Sequence, residues 1–234
     1  MNLGHWISLR HKTRTRITLL VCAFFLASGT ATPTFAAEES AKVYHQHENK
    51  EMKISLTFDD GPHPILTPKI LDILKKYQVK ATFFLVGENV VNYPNVVERI
   101  LLEGHELGNH TYTHDKIDLS EIEACEKAIY ELTDYKTKLF RPPEGFVNQS
   151  IKNASSNLGY DIILWNIDTR DWAHTPPEQI CTKVIDSITA GSIILMHDYI
   201  GYCSPTPEAL EKFIPLVLEL GYQFVPISEL IGTQ

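Results

Sequence analysis

Two adjacent carboxylates, Asp59 and Asp60, close an apolar run in Leu56-Thr57-Phe58-Asp59-Asp60-Gly61-Pro62. Like charges this close repel unless a cation or a shared proton offsets them. Further along, Gly108-Asn109-His110-Thr111-Tyr112-Thr113-His114 carries two histidines at i and i+4. On a helical turn that spacing points both imidazoles one way, so both can hold one metal ion. Two histidines and one carboxylate form a standard three-ligand set for a catalytic zinc, with a position left for water. Asp60 can complete that set, which frees Asp59 for another task. Each piece alone has a plain counterpart, since Asp-Asp-Gly-Pro is a common acidic turn.

Three more segments add chemistry. In Phe140-Arg141-Pro142-Pro143-Glu144-Gly145, Arg141 can grip a carboxylate with a two-pronged bond, and the prolines fix the loop so that an N–H there is rigidly aimed. Trp165-Asn166-Ile167-Asp168-Thr169-Arg170-Asp171-Trp172 offers carboxylates and an aromatic ring able to stack on a sugar. Leu195-Met196-His197-Asp198 ends on a histidine suited to general acid or base work. Acids, histidines and an arginine at five such places are hard to explain by packing.

What positions them is a series of strands alternating with helices. The predicted strands are Ile54–Phe58, Ala81–Val86, Glu106–Gly108, Lys138–Arg141, Asp161–Ile167, Ser192–Met196 and Gln223–Val225. Between them, helices are expected from a Thr67 cap with Pro68, over Pro94–Glu103, from a Ser120/Glu123 capping box, over Asn148–Leu158, from Thr175-Pro176-Pro177, and from Pro207 through a kink at Pro215. Gly104, Gly159 and Gly221 read as helix stops. Seven strand–helix repeats predict an α/β fold with a parallel sheet, either a small closed barrel or an open doubly wound sheet. Such folds place active sites at the C-terminal strand ends, where the residues above fall.

Taken in order, Thr-Phe-Asp-Asp-Gly (57–61), His-Thr-x-x-His (110–114), Arg-Pro-Pro-x-Gly (141–145), Asp-x-x-Asp-Trp (168–172) and Leu-x-His (195–197) resemble the five motifs of the NodB-homology polysaccharide deacetylases, carbohydrate esterase family 4. The resemblance spans Lys53 to about Leu230. It implies a distorted (β/α) barrel of about seven strand–helix repeats. It also implies one divalent metal, zinc or cobalt, held by Asp60, His110 and His114. Asp59 would be the catalytic base and His197 the catalytic acid. Arg141 would orient the base, Asp171 would tune the acid, and Trp172 and Leu195 would line the acetyl groove. One departure is Glu144, where the family often has tyrosine. The family uses the backbone N–H at that position for the oxyanion, which a side-chain change leaves in place. A carboxylate there should still disfavour anionic groups nearby.

The N-terminal 36 residues hold Arg10, Lys12, Arg14 and Arg16, no Asp or Glu, and the apolar run Ile17–Ala27, too short to span a bilayer. With Thr34-Phe35-Ala36 as a cleavage signal, residues 1–36 are expected to be a signal peptide, 37–52 a linker containing His45 and His47, and 53–234 the catalytic domain. A retained membrane anchor is the alternative. Export would place the protein in the cell envelope or outside the cell. The net charge of −8 becomes more negative once those basic residues are removed, which argues against nucleic acid as a partner. No protein partner is inferable. Cys125, Cys181 and Cys203 allow at most one disulfide, and Cys125 reads as a core residue. His63 is expected in a loop, His105 as structural or exposed, and His174 at the rim. The function expected is N-deacetylation of an N-acetylated polysaccharide or oligosaccharide, from peptidoglycan to chitin oligomers. An esterase or amidase on another acyl group and a non-catalytic carbohydrate-binding protein are the competing readings.

Overall fold

The computed structural model describes residues 41–48, 50–199 and 203–233. The expected signal peptide lies outside them. The strands are β1 (Val43–Tyr44), β2 (Lys53–Asp59), β3 (Thr82–Leu85), β4 (Glu106–Asn109), β5 (Leu139–Phe140), β6 (Asp161–Ile163), β7 (Ile167–Asp168), β8 (Ile193–His197) and β9 (Gln223–Phe224). The helices are α1 (Leu66–Tyr77), α2 (Gly87–Asn92), α3 (Pro94–Leu102), α4 (Leu119–Thr133), α5 (Gln149–Asn157), α6 (Pro177–Ser187), α7 (Thr206–Glu219) and α8 (Ile227–Ile231).

All strand pairs are parallel, in the order β1-β6-β5-β4-β3-β2-β8-β7, with β9 beside the start of β2. Only residues 164–166 separate β6 from β7, yet these two strands lie towards opposite ends of that order. The sheet therefore curls until its ends meet, which is the distorted barrel rather than the open alternative. The single strand expected over Asp161–Ile167 is split for this reason. Its start pairs with β5 and its end with β8.

Strand alternation sorts β2 into two faces. Ile54, Leu56 and Phe58 pack into the main core with Ile70, Leu74 and Phe213 of the helical layer. Ser55, Thr57 and Asp59, all buried, alternate with them. Their hydroxyls are satisfied inside the barrel, Ser55 Oγ on Val225 O (2.7 Å) and Thr57 Oγ1 on Ile194 O (2.7 Å). A polar interior of this kind is tolerable only because each group finds a partner.

Several local expectations change. Part of the proposed linker belongs to the sheet, since Val43 and Tyr44 pair with Ile162 and Ile163, and Gln46 bridges Ser192. Two residues are too few for a strand pattern to show in sequence. Gly191 (φ +84°) makes this contact possible, because a Cβ there would lie 1.5 Å from His47 O. Thr67 does not cap α1. His63 Nδ1 accepts the Ile65 and Leu66 N–H groups instead, and Thr67 Oγ1 donates to Asp198. The cap of α4 is Asp118, which accepts from Glu121 N and from the Ser120 hydroxyl that was the expected cap. Pro215 lies inside α7 without ending it, held by the buried Leu210, Phe213, Ile214 and Val217. The glycine stops at 104, 159 and 221 all take positive φ. Cys125, Cys181 and Cys203 are free thiols, and burial pushes that of Cys125 up to about 12.

Candidate active site

The register of the sheet brings the two proposed acid–base residues side by side. Asp59 at the end of β2 is the Cα partner of His197 at the end of β8. Two pairs earlier, Thr57 faces Leu195, which in turn faces Asp168 of β7. Each strand ends where the side chains change from apolar to ionisable, so the polar groups collect at one mouth of the barrel.

Asp59 is 3% exposed, and its Oδ1 accepts from Arg141 Nη1 at 2.6 Å. Arg141 has no exposed surface. Its grip is not the two-pronged one expected. Nη1 is shared between Asp59 Oδ1 and Thr57 Oγ1 (2.8 Å), while Nε and Nη2 donate to Ile163 O and Leu164 O. The guanidinium also lies over the Phe84 ring, with its carbon 4.1 Å from the centroid. Asp59 thus keeps Oδ2 clear of the arginine, 3.8 Å from His110 Nε2.

Asp60, His110 and His114 are the one group of metal-ligating side chains that converges among the described residues. Asp60 Oδ1 lies 3.3 Å from Nε2 of both histidines. Donors bound at 2.0–2.1 Å to a tetrahedral ion are roughly 3.3–3.4 Å apart, so this spacing fits one small divalent cation. Asp60 takes φ +74°, which turns its carboxylate away from the line of β2. Burial alone would raise its pKa, but the His110 hydrogen bond and the neighbouring imidazoles hold it at about 2, anionic at every working pH. His110 is buried, and its Nδ1 lies 2.7 Å from Arg141 O. A backbone carbonyl can only accept, so Nδ1 keeps its proton, and a bound cation would take the place of any proton on Nε2 that Asp60 now faces.

The two histidines do not share a helical turn. Thr111 and His114 both have left-handed φ (+69° and +68°), and the loop is tied by Asn109 Oδ1 accepting Thr111 N and Thr111 Oγ1 accepting His114 N. Convergence comes from this folded loop, a route the i, i+4 spacing does not reveal.

His197 is held by Asp171. Its Nδ1 lies 2.8 Å from Asp171 Oδ1, and its backbone N–H donates to Oδ2 at 2.8 Å. Asp171 itself is fully buried and accepts further bonds from Trp172 N and Thr206 Oγ1. Burial works to lower the His197 pKa, but the Asp171 hydrogen bond and charge, with those of Asp59 and Asp60, lift it to about 9. The imidazole is therefore protonated at neutral pH. Asp198, next in sequence, is buried against Gly61, where a Cβ would meet its carboxylate at 2.2 Å. It accepts from Thr67 and anchors the turn that carries Asp60.

These groups open into a cleft of about 470 Å³, with Glu144, Trp172 and Leu195 on its walls. Glu144 sits in a one-turn helix, Pro143–Gly145, with φ +56°. Its side chain is exposed, and its N–H has no backbone acceptor among the described residues. Trp172 is 49% exposed and Leu195 only 3%. Every residue singled out from sequence for the site lines this cleft or supports one that does. Of the others that line it, Asp168 entered only as the first residue of its motif and Trp165 was not singled out. Neither were Thr57 and Thr206, whose bonds to Arg141 and Asp171 span 84 and 35 residues of chain. His63 and His105 are structural. His105 Nδ1 accepts from Ala81 N, and burial pushes its pKa down to about 4.

Among the described residues that line the cleft, the ionisable groups are carboxylates and imidazoles. The curled parallel sheet with carboxylates and histidines at one mouth defines an α/β protein with a site at its strand ends. Residues 46–163 match the family model described as polysaccharide deacetylase. A peptidoglycan-N-acetylglucosamine deacetylase of Bacillus cereus is 39% identical over 202 residues, covering 83% of this chain and 95% of the relative. Among solved structures, the Bc1960 peptidoglycan N-acetylglucosamine deacetylase superposes with a TM-score of 0.80 at 35% identity, covering 87% of this chain and 98% of the other. A family 4 acetyl xylan esterase from Clostridium thermocellum, in complex with a cobalt ion, gives 0.71 at 34% identity, covering 77% and 90%. The chain belongs to the polysaccharide deacetylase family, hydrolases of carbon–nitrogen bonds other than peptide bonds.

Proposed function

We propose that this protein is an exported, metal-dependent N-deacetylase of polymers built from N-acetylated amino sugars, with peptidoglycan-type glycans as the leading substrate. The observation that carries the reading is the Asp59–His197 pair on one rung of the sheet, next to the Asp60–His110–His114 donor set. Asp60, His110 and His114 would hold a divalent ion, zinc or cobalt, which when bound would supply Lewis-acid polarisation and lower the pKa of water. Asp59 takes the proton of the attacking water on Oδ2, while Arg141 fixes Oδ1 and keeps the carboxylate in orientation. The Glu144 N–H donates to the acetamide oxygen as it gains charge. His197, protonated and steered by Asp171, gives its proton to the nitrogen as the C–N bond breaks, because an amine leaves poorly without one. Leu195 and Trp172 pack the methyl group and the sugar ring. The basic, then apolar, N-terminal segment supports export.

The acid role makes a pH prediction. A raised pKa means the protonated form of His197 is present below about 9 and is lost as the pH rises through that value. Asp171→Asn removes the carboxylate that lifts it. The alkaline limb of the kcat–pH profile should move down by at least about one pH unit. A limb that stays in place would show that His197 is not the titrating acid.

The cobalt-bound esterase neighbour favours one second reading, cleavage of acetyl esters by the same apparatus. The deciding assay offers the zinc- or cobalt-loaded protein chitin oligomers, peptidoglycan and acetylated xylan, and quantifies acetate. Release from the N-acetylated glycans is expected, and release from xylan alone would replace the N-deacetylase reading with the esterase one.

A further inference from the structure

We infer that the depression beside the catalytic cleft is a subsite for a carboxylate-bearing sugar, with Arg170 and Lys183 as its specificity determinants. This inference rests on the reading of the neighbouring cleft as a glycan deacetylase. The depression, about 680 Å³, shares Trp165 and Asp168 with the catalytic cleft, so the two lie side by side. A polymer whose acetamide is seated at Asp59 and His197 must run out of that cleft, and its next sugar can enter this space.

Its lining carries two cations, Arg170 and Lys183, with Gln179 and the carboxylate of Asp168, while Asn166 and Thr169 donate within the protein, to Ser192 Oγ and Leu195 O. Both cations are exposed, and neither forms an ion pair among the described residues. Arg170 is also built into place. Its φ is +56°, its N–H donates to Asp168 Oδ1 at 2.8 Å, and its carbonyl accepts from Thr175 Oγ1 at 2.8 Å. Its guanidinium lies over the Trp172 ring, 5.5 Å from the centroid, which links the subsite to the wall of the catalytic cleft. Glu144 lines the catalytic cleft and not the depression. Asp168 lines both spaces, so the depression holds two cations against one carboxylate, while the cleft holds Asp59, Asp60, Glu144 and Asp168; an anionic group is better placed on the neighbouring sugar than on the reacting one. A carboxylate is the anion that guanidinium and ammonium donors would meet on an alternating acetamido glycan.

The test uses the full-length, zinc-loaded protein and three peptide-free tetrasaccharides: a neutral N-acetylglucosamine tetramer, a tetramer with an ether-linked carboxylate on alternate sugars, and that second glycan with its carboxylates converted to amides. Wild-type kcat/KM is expected to be roughly tenfold higher for the carboxylate than for the amide, and to lose that advantage as salt is raised. The ratio should fall close to one in Arg170→Gln/Lys183→Gln. Lys183→Gln alone should lower it partway, and that variant leaves the Arg170–Trp172 contact in place. A wild-type ratio near one, or a ratio that survives the double substitution, overturns the subsite. Calorimetry of the same glycans decides the matter independently of turnover. If no glycan releases acetate, tighter binding of the carboxylate that disappears in the double variant keeps the subsite and removes the deacetylase reading. Equal binding removes the subsite.

Discussion

Asp59→Asn is expected to reduce acetate release by at least about 100-fold, the low end for loss of an acid–base group, while the metal stays bound. Asn has nearly the shape of Asp, and its carbonyl can still accept from Arg141 Nη1 and sit in the Thr57–Arg141 cluster. What it cannot do is take a proton. Metal content should persist because Asp60, His110 and His114 are untouched. Stability should drop, since the Arg141 guanidinium is fully buried and loses its counter-charge. Breaking such pairs costs about 3–5 kcal/mol, although Ile163 O and Leu164 O remain as acceptors here. A melting curve alongside kcat separates the two effects. A folded, metal-loaded variant within about tenfold of the wild-type rate would show that another group is the base.

The second large effect is expected from His110→Ala, which should abolish both metal retention and turnover. His110 is 2% exposed, and its Nδ1–H is committed to Arg141 O, so its Nε2 has one geometry and faces Asp60. Removing it takes one of three protein donors and leaves a buried carbonyl without its donor. After dialysis against buffer, elemental analysis should give close to one ion per wild-type chain and close to none for the variant. His114→Ala should retain more, because His114 is partly exposed and its place can be taken by water. Binding in the wild type should also weaken as pH falls. Burial disfavours the His110 cation, but the charges of Asp59 and Asp60 raise its pKa, so protons compete for this ligand above the usual imidazole range. Undiminished metal in His110→Ala would mean that the ion sits elsewhere.

Much of this site was legible in sequence because its residues sit in short contiguous motifs at the ends of apolar runs. Asp59 and His197 each end a strand of the parallel sheet, with Asp60 directly after the first, and a parallel sheet turns shared strand ends into shared space. What was not legible depends on chain segments meeting from afar. Thr206 supports Asp171 from the start of α7, and nothing near Asp171 in sequence indicates it. Thr57 lay inside a motif, but its bond to Arg141 appears only once β2 and β5 curl around a common interior. The histidine pair converges through two left-handed residues where spacing implied a helical turn. At α4, Asp118 and Ser120 are both chemically good caps, and the choice of Asp118 was decided by where the backbone turns. The strand Val43–Tyr44 was hidden in a polar segment and gains its place by filling the space between β6 and β8.

Cleavage of an N-acetyl group with water at the Asp59–His197 rung is open to direct measurement. Its most direct test is to incubate the zinc-loaded protein with an N-acetylglucosamine tetramer and quantify acetate and primary amine in the same sample. Equal molar yields that rise together with time, and that are absent in Asp59→Asn, are the predicted result. Acetate without amine, or neither product while an acetylated xylan is turned over, would contradict it.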